Sequence, residues 1–427
     1  MNPLSTDASS LATGPVTAAS HAFDPFTQAY QRDPHSLFAR LRETEPVFFS
    51  PALNTWVVLK HDTIKSVFRD TPRYSAAITS DPLVPLCPYA RSIIQASAFD
   101  VPATLVNCDP PAHDRYRKFF QQPLERSRMM SFEPFIRETV NARIDDMLAA
   151  GPSNGNTADL VPALTWETPA LVLFKMLGVP AEDVQQVKRW ADSRAVLQWG
   201  RPTDAEQTRI AANTVEYFNY TAALVRRKLA EPGDDVITDF LRQRDGDDAN
   251  MSLREITGTV FNLLFAGHET TSASTIGMFN LLLRERDLWG RIGRGEQPIG
   301  PVVEECLRLA PPIFAWRRMA KEDVVLDGIT LPAGSRLLLM LGAANRDPAV
   351  FPQPDTFDPT RRNALQHMAF GTGLHFCAGA PLARLQMSVM LEEMSRRLPG
   401  LRLVDDQELV YLPNSIARVL TRLLVTW

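Results

Sequence analysis

The chain has 427 residues, 45% hydrophobic and 22% charged, with 33 Pro and 21 Gly, which excludes a collagen, a low-complexity polymer and a disulfide scaffold. Its 45 Lys and Arg nearly balance 49 Asp and Glu for a formal charge of −4, so no global positive field draws it to nucleic acid. Cys87, Cys108, Cys306 and Cys377 lie far apart, without the close spacing of a zinc ribbon or redox pair, which fits a reduced, cytoplasmic setting.

In chain order, residues 1–21 are rich in Ser, Thr and Ala, lack the basic start and apolar core of a secretory signal, and read as a loose leader. No later run reaches the roughly 20 apolar residues that cross a bilayer, so no membrane partner is expected. A short strand over 54–60 precedes a helix over 62–68. The stretch Asp109-Pro-Pro-Ala-His-Asp-Arg-Tyr-Arg117 opens another helix, with Asp109 as its cap and with His113 and Arg117 one turn apart on one face. Helical periodicity returns over 134–148, 182–197 and 204–230. The longest helix begins at the capping box Ser252-Leu-Arg-Glu255 and is predicted to run to about Arg286, about 50 Å at ~1.5 Å per residue. A helix starting near Pro301 stops at Pro311-Pro312, a strand covers 335–341, and a helix covers 382–398. No repeat, Gly/Ser linker or charge block marks a boundary, so residues 22–427 are expected to form one unit, mainly α with small β-sheets.

Two segments carry chemistry. The long helix is nearly all apolar from Val260 to Phe265 and then places His268, Glu269, Thr270 and Thr271 at mid-length. A carboxylate beside a hydroxyl in a buried helix is costly unless it is paired or functional; a polar turn satisfied by backbone carbonyls is the alternative. The second segment, Phe370-Gly-Thr-Gly-Leu-His-Phe-Cys-Ala-Gly379, leads directly into a helix. Gly371 and Gly373 let the backbone fold closely beneath Cys377, just before a helix N-terminus whose free amides and dipole favour a thiolate. Such a thiolate, without a second Cys, suits a metal that brings its other ligands with it, and heme iron fits that description.

That ten-residue segment resembles the heme-binding signature of the cytochrome P450 family, Phe-Gly-x-Gly-x-His-x-Cys-x-Gly, with every fixed position matched. The resemblance implies the P450 fold, with heme b held between the long central helix and the cysteine loop. Cys377 would be the iron ligand, and Phe370, Gly371 and Gly379 would shape its loop. Ala266 and Gly267 would open a groove above the iron, while water held near Thr270 and replenished through Glu269 would deliver the protons that O2 activation consumes. His113, Arg117, Arg318 and His375 would hold the heme propionates. Glu305-Cys-Leu-Arg308 resembles the family's Glu-x-x-Arg ion pair, and the stretch from Phe351 to Arg361 resembles the loop packed against it. Ala22-Phe-Asp-Pro-Phe26, Trp199-Gly-Arg-Pro202 and Tyr411-Leu-Pro-Asn414 are similar to the heme domain of the self-sufficient subgroup fused to a phthalate-dioxygenase-type reductase.

The implied activity is a monooxygenase that inserts one atom of O2 into an apolar or aromatic small molecule, by hydroxylation or oxidative dealkylation. NAD(P)H would act only indirectly: no Gly-x-Gly-x-x-Gly follows a strand, no four-cysteine cluster could hold an iron–sulfur centre, and the sequence ends at Trp427. Electrons are therefore expected from a ferredoxin and its reductase, or from a separate reductase domain, docking on a monomer through Arg115, Lys118, Arg126, Arg128 and Arg384. The pocket is expected from residues 76–106, 194–201, Leu264, Ala266, 313–315 and 414–416, with Phe314 the bulkiest side chain near the iron. A non-catalytic heme-thiolate gas-binding protein and a peroxide-driven peroxygenase are the alternatives; the Glu269–Thr270 pair argues against both.

Overall fold

The computed structural model describes residues 14–427. Its axis is the helix Leu253–Leu282, 30 residues and therefore about 45 Å long. The expected capping box starts it: Ser252 Oγ accepts from the Glu255 amide at 3.2 Å and the Glu255 carboxylate accepts from the Ser252 amide at 2.8 Å. It ends four residues before the expected Arg286. The Leu283 amide turns back to Phe279 and Leu281, and a separate helix, Arg286–Gly293, begins. Apolar spacing continues across the break because Leu282, Leu283 and Trp289 are all buried, so periodicity alone conceals it.

The other predicted helices follow their patterns, with the helix Asp204–Ala230 matched end to end and Glu133–Ala150, Val184–Trp199 and Ala380–Arg397 displaced by one or two residues; Pro34–Thr44, Thr168–Leu177 and Val236–Arg244 are additional. They wrap the central helix, whose Val260, Phe261 and Leu264 sit in one apolar core that runs from Ala19 to Val425. A helix surrounded on all sides can be apolar all round, and from Val260 to Phe265 this one nearly is.

Beside the helices stands a five-stranded sheet in the order Val47–Ser50, Thr55–Val58, Arg336–Leu339, Trp316–Ala320, Tyr74–Ser75. Trp56 pairs with Leu337 in parallel and Leu337 with Arg318 in antiparallel register. Because strand side chains alternate, Arg317 and Arg318 leave opposite faces. Arg317 reaches the carbonyls of Asp81 and Gln198, while Arg318 turns toward the cysteine loop.

Two local expectations are corrected. Residues 1–13 of the expected leader lie outside the described residues, but Ala18–Ala22 is a capped helix, with Ala19 fully buried and Ser20 Oγ donating to the Phe49 carbonyl at 2.6 Å. Small Ala and Ser side chains dock closely on the sheet without any bulky apolar signal. Asp109 does not cap the helix Ala112–Gln121. Its carboxylate accepts instead from Ser75 Oγ at 2.5 Å and the Ala76 amide at 2.9 Å, fastening this helix to the edge of the sheet.

Candidate active site

The cysteine loop is built by two glycines in the left-handed region, Gly371 at φ +67° and Gly373 at φ +73°. A side chain at Gly373 would also press on the Phe68 carbonyl, 3.0 Å from where its Cβ would lie. The Cys377 amide donates back to the Phe370 carbonyl at 3.1 Å, and the helix Ala380–Arg397 starts from Gly379. Deep burial pushes the Cys377 thiol up, against the amides of Gly379 and Ala380 and the cations Arg117 and Arg384. A bound cation would supply what those dipoles alone do not. Although it lies deep in the molecule, Cys377 keeps an accessible surface, so it faces internal space rather than bulk water.

The loop is braced from behind. Arg308 and Glu305 are both fully buried and joined twice, Nη2 to Oε1 at 2.7 Å and Nε to Oε2 at 2.8 Å. Arg308 Nη1 also donates to the carbonyls of Asn345 and Pro354, and Arg361 Nε donates to Glu305 at 3.2 Å. Alongside, Glu304 accepts from Arg384 and sits 2.9 Å from His367 Nε2; these partners outweigh its burial and hold its pKa at about 2.

Whether the site suits a porphyrin with two propionates is tested by its polar side chains. His113 is fully buried with neither ring nitrogen partnered, and Arg318, 2% exposed, has an orphan Nη2. His375 gives Nδ1–H to the Leu105 carbonyl at 3.1 Å and lies 4.4 Å, centroid to centroid, from His113. Burial, then the charges of Arg318 and His113, push His375 down to about 3. Three groups able to carry positive charge thus converge, and an anionic group among them relieves both their repulsion and their unmet donors. Arg117 donates Nη1 to the Phe376 carbonyl at 3.0 Å, so its charge bears on His113 and Cys377 together. The donor set fits heme: one sulfur ligand, an arginine with an unmet N–H and two imidazoles able to donate at one side, and no cluster of three or more metal-ligating side chains among the described residues.

On the central helix Ala266 is exposed although it lies at mid-length between buried Phe265 and buried His268, so it too opens on internal space. The helix is continuous here. Thr270 Oγ1 donates to the Ala266 carbonyl at 3.0 Å and Thr271 Oγ1 to Gly267 at 3.3 Å, so hydroxyls meet the carbonyls that an unwound turn would have left open. A side chain at Gly267 would press on Leu173.

Behind Thr270 lies a buried network that the sequence does not announce. Lys188, 1% exposed, places Nζ 3.3 Å from Asp192, and His268 Nε2 lies 3.5 Å from the same carboxylate. Glu269 adjoins this cluster: burial and the Asp192 charge drive the Glu269 pKa well up. At Asp192 burial is outweighed by His268 and Lys188, which hold it at about 2. Spacing signals part of this, since Lys188 and Asp192 stand four apart on one helix, but nothing in the sequence points them at Glu269.

Two further expectations change. Phe314 is buried against His35 and Phe38, with its ring where a Gly342 side chain would lie, and belongs to the N-terminal core rather than to the pocket. Of the expected docking cations, Arg115 is bound to Glu255, Arg128 to Asp234 and Asp239, and Arg384 to Glu304. Only Lys118 and Arg126 of the five have no ion pair among the described residues.

Comparison with known proteins agrees with this geometry. The family model "Cytochrome P450" matches residues 26–292 and 300–398. The cytochrome P450 monooxygenase PikC of Streptomyces venezuelae is 33% identical over 405 residues, covering 94% of this chain and 92% of its own. An intact type IV self-sufficient cytochrome P450 monooxygenase superposes with TM-score 0.92 at 32% identity, covering 99% of this chain and 55% of its own, so the chain spans about half the length of that enzyme. Cytochrome P450 CREJ, solved with (4-ethylphenyl) dihydrogen phosphate, superposes with TM-score 0.91 at 34% identity over 96% of this chain and 100% of its own. No described helix is long and apolar enough to cross a membrane. On its sequence, its fold and its cysteine loop, the chain belongs to the cytochrome P450 family of monooxygenases.

Proposed function

We propose that the protein oxidises an apolar or aromatic small molecule with one atom of O2, reducing the other to water: substrate, O2, two electrons and two protons give hydroxylated product and water. In this reading Cys377 ligates the heme iron, and His113, Arg318 and His375, with Arg117 beside them, hold the propionates. Bound heme supplies the oxidising chemistry; the chain supplies position and protons.

The observation that carries this reading is the buried network ending at Glu269 and Thr270. Burial beside ionised Asp192 pushes the Glu269 pKa well above the ordinary carboxylate range, so Glu269 holds its proton more firmly than an exposed carboxyl does, and Lys188 and His268 flank the Asp192 carboxylate. Thr270 lies one residue further along the same helix turn, where its hydroxyl can orient water over Ala266. A gas-binding protein needs no protonated carboxyl at that depth, and a peroxide-driven enzyme receives its protons with its oxidant. Electrons come from NAD(P)H through a ferredoxin and its reductase or a separate reductase domain. Lys118 and Arg126 remain as cations for that contact.

The test uses heme-loaded protein with a ferredoxin, its reductase, NAD(P)H and isotopically labelled O2. Substrate-stimulated NAD(P)H consumption with label in the product is expected. Carbon monoxide binding without substrate-stimulated turnover under any redox partner would favour the gas-binding reading. Equal product from peroxide alone would favour the peroxygenase.

A further inference from the structure

Arg194, on the helix Val184–Trp199, is 7% exposed and takes part in none of the ion pairs among the described residues. Its Nη2 donates to Asn262 Oδ1 at 2.6 Å and Nη1 reaches the Phe261 carbonyl at 3.4 Å. The guanidinium carbon lies 4.4 Å from the Phe261 ring centroid and 4.9 Å from that of Phe265. The planar group is therefore held in place by neutral partners, with Nε and the remaining N–H groups uncommitted. Burial lowers its pKa only to about 10, so it is a cation at neutral pH.

Other buried arginines here are explained. Arg308 meets Glu305, Arg42 lies 3.9 Å from Asp347, and Arg317 and Arg318 have Asp81 and Asp109 nearby. Arg194 has no such counterpart, and a buried cation met only by neutral groups is a standing cost unless something anionic arrives.

Its position indicates what arrives. Asn262, Ala266 and Thr270 recur at four-residue intervals, so they share one face of the central helix, each step about 6 Å along its axis. Asn262 and Thr270 are partly accessible and Ala266 is exposed, so that face is left uncovered by packing, and in the monooxygenase reading it is the face turned to the heme. Asn262 Nδ2 donates in turn to Thr104 Oγ1 at 2.9 Å, and Thr104 is fixed by Asn107, which ties the 101–107 loop to this stretch of the central helix.

We infer that Arg194, positioned by Asn262 and Thr104, is an anion-recognition subsite, and that the substrate carries one carboxylate or phosphate monoester on an apolar body, with the oxidised carbon about 6–12 Å from the anion. This rests on the monooxygenase reading for the oxidation step and on Arg194 alone for the charge. The guanidinium would take the two anionic oxygens side by side, while Phe261 and Phe265 line the start of the apolar body.

The test is calorimetric titration of the heme-loaded protein with phenylalkanoates of two to six methylenes, the matching phenylalkyl phosphates, and the matching neutral alcohols, followed by turnover with a redox partner. The acids or the phosphates should bind roughly 10- to 100-fold more tightly than the alcohols, and whichever leads identifies the anion. Arg194→Leu should remove that preference while leaving alcohol binding within a few fold, Arg194→Lys should keep part of it, and Asn262→Leu should weaken it with the arginine in place. Equal binding of anions and alcohols to the parent would overturn the inference, as would a loss in Arg194→Leu that falls equally on both. If Arg194→Leu fails to fold, Arg194→Lys and Asn262→Leu decide by the same ratio. Anion preference without oxidation of any probe would count against the monooxygenase reading and leave the subsite standing.

Discussion

On the cysteine side of the site, Glu305 and Arg308 are fully buried and matched donor to acceptor, with Arg361 and the carbonyls of Asn345 and Pro354 closing the remaining positions. On the central-helix side, Lys188 and His268 are buried just as deeply, Asp192 and Glu269 are only partly buried, and the four divide their charge unevenly. A saturated network resists change, because breaking any link strands a buried charge. An unevenly shared one keeps its proton on one partner, here Glu269, where a neighbouring acceptor can take it. The first arrangement suits holding a ligand still, the second moving protons to it.

The contrast breaks most completely at Cys377. Cys377→His should still bind heme but lose the red-shifted band of the ferrous carbon monoxide complex, since a neutral ligand lacks the electron push of thiolate. Retention of that band would reassign the ligand. Next is Glu305→Ala, which leaves Arg308 buried and unpaired and should cost roughly 3–5 kcal/mol, enough to leave little folded heme protein in a thermal melt. The helix-side variants should behave differently, folding and binding heme normally.

Thr270→Ala should keep heme and substrate binding while a large share of the electrons ends in peroxide; equal product per NAD(P)H in variant and parent would remove Thr270 from proton delivery. Asp192→Asn should slow turnover roughly 100-fold, on the scale of general acid–base catalysis. Because the Asp192 charge helps keep Glu269 protonated, its loss should also move the alkaline limb of the rate–pH profile to lower pH. An unmoved profile would make the network purely structural.

The smallest effect concerns acid stability of the cysteine side. Glu304, held at about 2 by His367 and Arg384, binds its proton less readily folded than unfolded. It therefore contributes stability that is complete above its ordinary pKa of 4.5 and is lost as the pH falls toward 2. Glu304→Gln should be less stable than the parent at pH 7 and nearly equal to it at pH 2, a convergence visible in denaturant melts at the two pH values.

Much of the fold and part of the site are legible in the order of the residues. The loop from Phe370 to Gly379 is legible because its glycines answer a local demand: Gly371 and Gly373 adopt positive φ, which other residues adopt only with strain. The central helix announces its start at Ser252 through a box that needs only four residues. Its end is not legible, since burial of Leu283 and Trp289 continues the apolar rhythm across the break. Phe314 misleads for a related reason: an apolar side chain satisfies a pocket and a core equally well, and only its contacts with Phe38 and His35 tell them apart.

By itself, the sequence determined the helical class, the cysteine turn, the central helix with its acid and alcohol, and the Glu305–Arg308 spacing, all of them patterns within about ten to thirty residues whose physics is local. The tertiary structure alone decided what each buried charge meets. It set Asp192 and Lys188 behind Glu269, gave Asp109 to the sheet instead of a helix cap, joined Arg115 to Glu255, and left Arg194 with neutral partners. Those outcomes depend on contacts between residues far apart in the chain, where a difference of a few ångströms settles whether a charge is paired, shared or left for a ligand.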